Sequence, residues 1–270
     1  MSRELPIYQI DAFTSELFRG NPAAVCPLDE WLPDDLMQKI AAENNLSETA
    51  FFVPRGRDWE LRWFSPVTEV PLCGHATVAT AYTVFCELGR TADEVVTFHS
   101  PHSGALPVRR QGDLFVLDFP AYSSAPCAAD DAGAQALGAA LGKEPHERWL
   151  SERSRYLAVF EHADDVQALA PDMTALLGLG KPVIATAPGA GGVDFVSRFF
   201  APTLGVPEDP VTGSAHCALI PFWAERLGKT ELRAQQVSPR GGELSCKRRG
   251  DRVDIGGRAV RYLQGMITIR

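Results

Sequence analysis

The sequence predicts a protein of mixed helices and strands that is organised as two related lobes. Short strand-like runs such as IYQIDAF, ELRWF, LFVLDF and FVSRFF alternate with a few helical segments, which indicates a mixed α/β or α+β fold. Three sequence blocks also recur in the same order between 136 and 139 residues further along the chain. A recurrence of this kind is typical of an internal duplication.

The three repeated blocks define a strand–helix–strand pattern. The stretch DWELRWFSP (58–66) matches DFVSRFFAP (194–202), with Asp, Arg, Phe and Pro at the same places. Next, PLCGHATVAT matches PVTGSAHCAL, and SPHSGALPVRRQGD then matches SPRGGELSCKRRGD. We therefore expect two helices, beginning near Gly74 and Gly213, to be the corresponding central elements of two lobes.

Local patterns place two further segments. The stretch DEWLPDDLMQKIAAEN has an apolar stripe at Leu32, Leu36, Ile40 and Ala41, which predicts a helix. Residues 121–136 are rich in Ala, Ser, Pro and Asp, and we interpret them as the connection between the lobes.

The composition excludes several classes of function. With 45% hydrophobic residues among 270, the chain can bury a sizeable core, and its net charge of −8 argues against a nucleic-acid partner. No apolar run approaches the roughly 20 residues that span a bilayer, and no export signal is recognised, so we expect no membrane partner. The six cysteines are scattered without metal-ligand spacing, which favours a reduced, cytoplasmic chain over a disulfide framework or a zinc site.

The two predicted helix starts suggest a site for a carboxylate. The N-terminus of a helix offers unpaired N–H donors and the positive end of a dipole, and two related lobes would bring two such ends to one cleft. Gly74 and Gly213 would let the backbone approach a ligand closely. The alternative is that both glycines only serve tight turns before the helices.

Functional asymmetry is expected where the matched blocks differ. His75 corresponds to Ser214, and Asp209 corresponds to the apolar Val70. His75 can exchange hydrogen bonds near neutral pH, Asp209 could orient it, and the Ser214 hydroxyl could donate to a bound carboxylate. Each also has an ordinary structural explanation, namely a surface histidine, a turn residue before proline and a helix N-cap.

Glu48 is the candidate for proton transfer. It lies in NNLSETAFFV, directly before an apolar strand, and the first repeat offset pairs it with Ile184. Partial burial in a cleft would raise its pKa and suit it to give and take protons. The alternative is a solvent-facing carboxylate at the edge of the strand.

The remaining motifs are less informative. Cys73 corresponds to Thr212, and Cys217 lies about one turn into the second helix, so a two-thiol racemase is disfavoured although a role for Cys73 stays open. The glycine-rich stretch 187–194 lacks a dinucleotide fingerprint, GSAHC is not a nucleophile elbow, and HSPH lacks further ligands. We expect no cofactor and no metal.

The blocks IDAFTSELFRGNPAAV, NNLSETAFFV, FSPVTEVPLCGHATVATA and RFFAPTLGVPEDPVTGSAHCAL together resemble the PhzF-like isomerases of phenazine biosynthesis. Those proteins are similar in fold to diaminopimelate epimerase and proline racemase. The resemblance implies an α+β fold with two pseudo-symmetric lobes, each a curved sheet or barrel around a central helix. The last strand would return to the first lobe, which gives lobes of 1–115 plus 259–270 and of 120–258.

The resemblance also implies a chemistry. Glu48 stands where the family carries its acid/base glutamate, and the family's substrate-positioning residues fall at His75, Asp209 and Ser214. The phenazine enzyme isomerises trans-2,3-dihydro-3-hydroxyanthranilate by a proton shift, without cofactor or metal. This chain departs from it at Cys73, where the phenazine enzyme has no cysteine, and directly after the histidine, where that enzyme has a proline.

Three hypotheses follow. The first is a cofactor-independent isomerase acting on a small carboxylate-bearing substrate. The second is a racemase or epimerase assisted by Cys73, and the third is a small-ligand binding protein without turnover. The resemblance further implies a homodimer.

Overall fold

The computed structural model describes residues 3–89 and 95–269. The chain divides into two compact units, one formed by Met1–Asp118 with Gly256–Arg270 (unit 1) and the other by Phe119–Ile255 (unit 2). Each unit contains strands that outnumber its helices, so the predicted α+β class is confirmed. None of the helices in the described ranges has the length and apolarity needed to cross a membrane.

Eighteen strands are present in the described residues. They are β1 (Arg3–Ala12), β2 (Asn21–Pro27), β3 (Glu48–Arg55), β4 (Asp58–Phe64), β5 (Glu69–Val70), β6 (Val95–Ser100), β7 (Gly104–Gln111), β8 (Leu114–Pro120), β9 (Ser124–Pro126), β10 (Glu147–Ser151), β11 (Tyr156–Val159), β12 (Val183–Pro188), β13 (Phe195–Ala201), β14 (Val206–Asp209), β15 (Glu231–Gln236), β16 (Gly242–Arg249), β17 (Arg252–Gly257) and β18 (Ala259–Ile269).

Six α-helices accompany the strands. They are α1 (Asp34–Asn44), α2 (Gly74–Tyr82), α3 (Ala132–Leu141), α4 (Ala163–Gln167), α5 (Met173–Gly178) and α6 (Gly213–Leu227). A π-helical turn (Thr83–Glu87) continues α2, and a short 3₁₀ turn (Pro202–Leu204) follows β13.

Two local predictions need adjustment. The first helix begins only at Asp34, because Pro33 is its N-cap residue, and Leu32 is buried ahead of it. The stretch 121–136 is not merely a connection: it contains β9 and the first residues of α3. That helix starts there because the side chain of Asp131 accepts a hydrogen bond from Ala134 N, which caps it.

The two units share one succession of strand pairings. In unit 1, β2 runs parallel to β3, β3 is antiparallel to β4, and β4 pairs with β5 and, in parallel, with β6, which is antiparallel to β7. In unit 2, β11, β12, β13, β14, β15 and β16 repeat this scheme in the same senses. Helix α2 follows β5 and α6 follows β14. The internal duplication inferred from the sequence therefore appears in the topology.

Helix α2 is buried on all of its sides within unit 1. All residues from Gly74 to Ala81 are buried, and the helix packs against β1, β2, β3 and β18. A helix that is buried all round must satisfy its own polar side chains. The hydroxyls of Thr77, Thr80 and Thr83 do so by donating to the backbone carbonyls four residues earlier, at 2.5, 2.7 and 3.1 Å.

Helix α6 has the corresponding place in unit 2, where it packs against β15 and β16. Ten of its 15 residues are buried. Pro221 lies inside the helix and has no N–H, which leaves the carbonyl of Cys217 without its usual helical partner. The backbone N–H of Tyr122 donates to that carbonyl at 2.8 Å, so the segment after β8 is tied to α6.

An arginine–glutamate pair recurs in both units. Arg62 on β4 donates to both carboxylate oxygens of Glu69 on β5, at 2.8 and 2.6 Å. Arg198 on β13 donates in the same way to Glu208 on β14, at 2.7 and 2.8 Å. Each guanidinium also lies over the ring of the phenylalanine two residues further on, at 5.1 and 4.9 Å. The pair joins corresponding neighbouring strands in each unit.

The pair in unit 2 is the more deeply buried of the two. Arg198 is 7% exposed, and its Nη1 also donates to three backbone carbonyls of the segment 166–169. The Nη1 of Arg62 instead donates to Asp34, whose side chain is 73% exposed.

We predict that Arg198→Met lowers the free energy of unfolding by about 3–5 kcal/mol, because it leaves the largely covered carboxylate of Glu208 without its cation. Denaturant unfolding followed by tryptophan fluorescence measures this loss. Arg62→Met is the matched control, and we expect a smaller loss from it. An equal or larger loss from Arg62→Met would contradict the assignment.

Candidate functional site

Four polar residues meet at the start of α2 in unit 1. Glu48 is the first residue of β3, Asn21 is the first of β2, His75 is the second of α2 and Cys73 is its N-cap. The Nε2 of His75 lies 3.1 Å from the Oε2 of Glu48. The other ring nitrogen, Nδ1, lies 3.1 Å from the amide nitrogen of Asn21 and 3.5 Å from the Sγ of Cys73. The structure thus brings Glu48, Cys73, Gly74 and His75 together.

Both partners of the Glu48–His75 contact are withdrawn from water. His75 is 4% exposed, so it is not a surface histidine, and the side chain of Glu48 is 15% exposed. The Oε2 of Glu48 is buried and has no well-aligned hydrogen-bond donor among the described residues, so its contact with His75 is an electrostatic one. A carboxylate oxygen in this condition can accept a proton from a ligand.

The pKa of Glu48 differs from the sequence expectation. Burial raises it, but the attraction of His75 and the close polar contacts with His75 and Cys73 outweigh burial, so the pKa of Glu48 is held below its ordinary value. The expectation of a raised pKa was wrong because it considered burial without the histidine.

In unit 2, the residues around the start of α6 form a second network. Asp209 ends β14, Thr212 is the N-cap of α6, and Gly213 and Ser214 are its first two residues. The Thr212 hydroxyl donates to Asp209 Oδ2 at 2.5 Å. Ser214 is partly exposed, and its hydroxyl has no partner among the described residues. The N-cap explanation for Ser214 is wrong, since Thr212 holds that position.

Gln236, at the end of β15, holds this network in place. Its amide oxygen accepts from Thr212 N at 2.8 Å, and its amide nitrogen donates to the carbonyl of Asp209 at 2.7 Å. His216, one turn into α6, hydrogen-bonds through Nδ1 to the carbonyl of Thr212 at 2.8 Å. Burial lowers the pKa of His216 to about 4, so this ring is neutral at physiological pH.

The starts of α2 and α6 differ from those of the other four helices. Helices α1 and α4 have acidic residues in their first turns, and α3 and α5 are capped by aspartate side chains. Helices α2 and α6 have neither an acidic first turn nor a side-chain cap. Their first N–H groups and dipoles are therefore not neutralised by an acid of their own helix. The sequence expectation that both starts serve one cleft stays a prediction.

Two residues at these networks were missed in the sequence. Asn21 and Gln236 are both 0% exposed, and each lies at a strand terminus. For Gln236 a signal was available: Leu232, Ala234 and Gln236 alternate along β15, and all three are buried. A polar residue at a buried position of an alternating strand calls for a specific partner.

Glu48, Cys73 and His75 also lie close enough together to be candidate metal ligands. Each offers one donor atom, and the three atoms lie within 4.8 Å of one another. No other set of three such residues is found in the part of the chain that the structure describes. In the HSPH segment, His99 Nε2 contacts Asp58 at 2.9 Å instead.

The strand pairings revise the repeat partner of Glu48. Across the β3–β4 hairpin Phe64 faces Thr49, whereas its counterpart Phe200 faces Val183 across the β12–β13 hairpin. The connection between β12 and β13 is longer than the one between β3 and β4, which shifts the correspondence. Thr49 therefore corresponds to Val183.

It follows that Glu48 corresponds to Pro182 and not to Ile184. The consequence drawn from the sequence is unchanged, because proline is not ionisable either. Unit 2 has no carboxylate at the position of Glu48.

Comparisons with known proteins agree with this fold. The family model described as "Phenazine biosynthesis-like protein", PhzC-PhzF, matches residues 10–265. A Pseudomonas aeruginosa protein named as an uncharacterized isomerase is 50% identical, over 98% of this chain and 100% of its own length. The crystal structure of a PhzF family protein from Enterococcus faecalis has a TM-score of 0.90 and 45% identity, with 98% of this chain and 99% of that chain covered.

A more distant likeness concerns the fold alone. The crystal structure of a hydroxyproline epimerase from Agrobacterium vitis has a TM-score of 0.62 at 11% identity, covering 99% of this chain and 93% of that chain. The predicted class, with its similarity to the epimerase and racemase fold, is confirmed.

We predict that His75→Gln raises the pKa of Glu48, because burial remains while the attracting ring is lost. Carboxyl ¹³C chemical shifts followed through a pH titration report this pKa. His99→Gln, which removes a histidine from the exposed Asp58, is the control and should leave Glu48 unchanged.

The same shift sets a dependence of stability on pH. The pKa of Glu48 in the folded state is lower than its unfolded value of about 4.3. The ionised Glu48 therefore stabilises the fold at pH values above about 4.3. This contribution is lost as the pH falls through the folded pKa. His75→Gln should abolish this contribution. An unchanged acid transition in that variant would contradict the pairing.

A further prediction concerns Gln236. We expect Gln236→Leu to lower the free energy of unfolding by about 2–4 kcal/mol, because it leaves the N–H of Thr212 and the carbonyl of Asp209 unsatisfied. Urea unfolding measures the loss. The neighbouring Gln235→Leu is the matched control, and a similar loss in both variants would show that the network contributes nothing particular.

Proposed function

Because the chain belongs to the PhzF family of phenazine biosynthesis-like proteins, we propose that it is a cofactor-independent isomerase with Glu48 as its acid and base. It moves a proton within a small carboxylate-bearing substrate. The observation that carries this proposal is the buried Oε2 of Glu48, which lies 3.1 Å from His75 without a well-aligned donor. The family relatives named as isomerases support the reaction class.

In the proposed reaction, Glu48 removes a proton from a substrate carbon and returns it to another atom of the same molecule. His75 positions the carboxylate and stabilises its charged form. The N–H groups at the first turn of α2, beginning at Gly74, hold negative charge that develops as the proton leaves. We further propose Asp209, Gly213 and Ser214, at the start of α6, as substrate-binding residues on the strength of the family resemblance.

A single base favours a proton shift over an inversion that uses two bases. The counterpart of Glu48 in unit 2 is a proline, and the thiols of that unit are poor bases. Burial raises the pKa of Cys217 to about 12, and Cys246 is fully buried with a raised pKa as well. One group therefore takes and returns the proton in this proposal.

A second candidate function is a racemase or epimerase assisted by Cys73. The Sγ of Cys73 lies 3.5 Å from Nδ1 of His75, so this thiol could exchange a proton through the ring. Cys73→Ser separates the two schemes: full activity of that variant would remove the cysteine mechanism.

We also propose that the protein is a homodimer. Tyr262, Leu263 and Met266 on β18 are between 42% and 56% exposed, and Phe18 packs edge-on against Tyr262 at 5.7 Å. Exposed apolar side chains that lie together are typical of an interface. Light scattering should give the dimer mass, and a monomer mass at high micromolar concentration would contradict this.

We predict that Glu48→Gln lowers turnover by about 10²- to 10⁴-fold, the usual contribution of a general acid–base group, while ligand binding changes little. Glutamine keeps the shape of the side chain but cannot exchange a proton. The assay incubates small amino acids and cyclic carboxylates with the protein in D₂O and follows loss of C–H signals by NMR.

The surface variant Glu43→Gln is the matched control and should keep the parent exchange rate. A Glu48→Gln protein with near-parent exchange would assign the chemistry to another residue. Thermal stabilisation by a ligand without any hydrogen exchange in the parent protein would instead favour the binding-protein hypothesis.

A further inference from the structure

Arg155 is an arginine without an acidic partner, directly before β11 in unit 2. Its guanidinium lies over the ring of Phe199, 5.3 Å from the ring centre. Its Nη1 is buried and has no hydrogen-bond partner within residues 3–89 and 95–269. Arg62 and Arg198, by contrast, are each held by a glutamate.

The surroundings of Arg155 place it near the candidate residues of unit 2. Phe199, beneath its guanidinium, is the cross-strand partner of Asp209, so both side chains lie on the same face of the sheet. Burial lowers the pKa of Arg155, while Cys217, Tyr122 and Asp209 lie close enough to raise it in part. Tyr122 and Cys217 are themselves joined through the backbone at α6.

A second arginine lies beside the first. The guanidinium of Arg153 is 4.9 Å from the ring centre of Tyr122. Its positive charge repels that of Arg155 and lowers the pKa of Arg155 further. Ser154, between them, adopts a left-handed φ of 55°, in a turn closed by its N–H donating to Ser151 O. No acidic side chain of the described residues forms an ion pair with either arginine.

The position of Arg155 in unit 2 corresponds to the position next to Glu48 in unit 1. In unit 1, Ala23 on β2 lies beside Glu48. In unit 2, Arg155 lies beside Pro182, the counterpart of Glu48, because the next residue, Tyr156, donates to the carbonyl of Pro182. Where unit 1 has an acid, unit 2 has an arginine next to the equivalent place.

A guanidinium taken out of water without a carboxylate is unfavourable, and a second cation nearby adds to the cost. Arginine matches the planar geometry of a carboxylate and binds it through two parallel hydrogen bonds. The protein is acidic overall, so a local cluster of unpaired arginines is the feature that would attract an anion.

We propose that Arg155, assisted by Arg153, binds a second carboxylate of the substrate, so that the substrate class is a small dicarboxylate. This inference rests on the proposed function, in which one carboxylate is already required.

Calorimetric titration with rigid aromatic probes tests the inference. Benzoate supplies one carboxylate, and phthalate, isophthalate and terephthalate supply two at increasing separation. The parent protein should bind at least one dicarboxylate more tightly than benzoate. Arg155→Gln should weaken the binding of that dicarboxylate by about 10- to 100-fold, which is the effect of losing a charged hydrogen bond. The ratio of the benzoate and dicarboxylate dissociation constants should then be close to one.

Two other variants keep the test decisive. Arg233→Gln removes an exposed arginine of the same unit and should leave the preference unchanged, which controls for net charge. Arg155→Lys keeps the charge but loses the planar pair of donors, so we expect an intermediate preference even if the glutamine variant does not fold. Equal binding of benzoate and all three dicarboxylates by the parent protein, or an unchanged preference in Arg155→Lys and Arg155→Gln, would overturn the inference.

The anion site and the proposed function can fail separately. Glu48→Gln should keep the preference for dicarboxylates while it loses hydrogen exchange. A parent protein that prefers dicarboxylates but exchanges no hydrogen with any of them would support the anion site and contradict the isomerase. Exchange of monocarboxylates as fast as of dicarboxylates would contradict the anion site alone.

Discussion

The requirement that a buried central helix satisfy its polar groups governs both units. On α2 the threonine hydroxyls return to the helix backbone, and on α6 the carbonyl freed by Pro221 is taken by Tyr122. Where α6 begins, Gln236 takes the N–H of Thr212. The first turns differ from those of the other helices, since neither α2 nor α6 has an acidic residue or a side-chain cap there. A ligand that brings its own negative charge can supply what the sequence does not.

The sequence was sufficient for the two related units because duplication leaves matched blocks at nearly constant spacing, and the family resemblance narrowed the mixed class to α+β. It also matched Arg62 with Arg198, but it did not show that each arginine is paired with a glutamate on the next strand. That pairing depends on strand register, which spacing along the chain does not reveal. For the same reason, the sequence comparison matched Glu48 with Ile184 and not with Pro182, two residues earlier. The comparison assumed one constant spacing between the repeats, whereas the β12–β13 hairpin is longer than the β3–β4 hairpin.

The site was predictable in its residues more than in its electrostatics. Local sequence and family resemblance placed Glu48 and His75 together on the candidate list, and the fold puts them in contact. The direction of the pKa shift of Glu48 could not be obtained in this way, because it depends on the balance between burial and a partner 27 positions away in the sequence. Asn21 was missed for a similar reason: its only distinctive property is the residue that it touches.

The duplicated scaffold separates what the two units share from what differs between them. The strand pairings and the arginine–glutamate pairs are the same in both units, so they belong to the shared architecture. The differences lie at a few places. Glu48 corresponds to a proline, and the second residue of the central helix is a histidine in unit 1 and a serine in unit 2. Ala23, which lies beside Glu48, corresponds to Arg155, directly before β11. Unit 1 thus has the contact between Glu48 and His75, and unit 2 has two arginines, Arg153 and Arg155, directly before β11. A net charge of −8 for the whole chain conceals this division, because binding of a small anion depends on the few charges within a Debye length of about 8–10 Å.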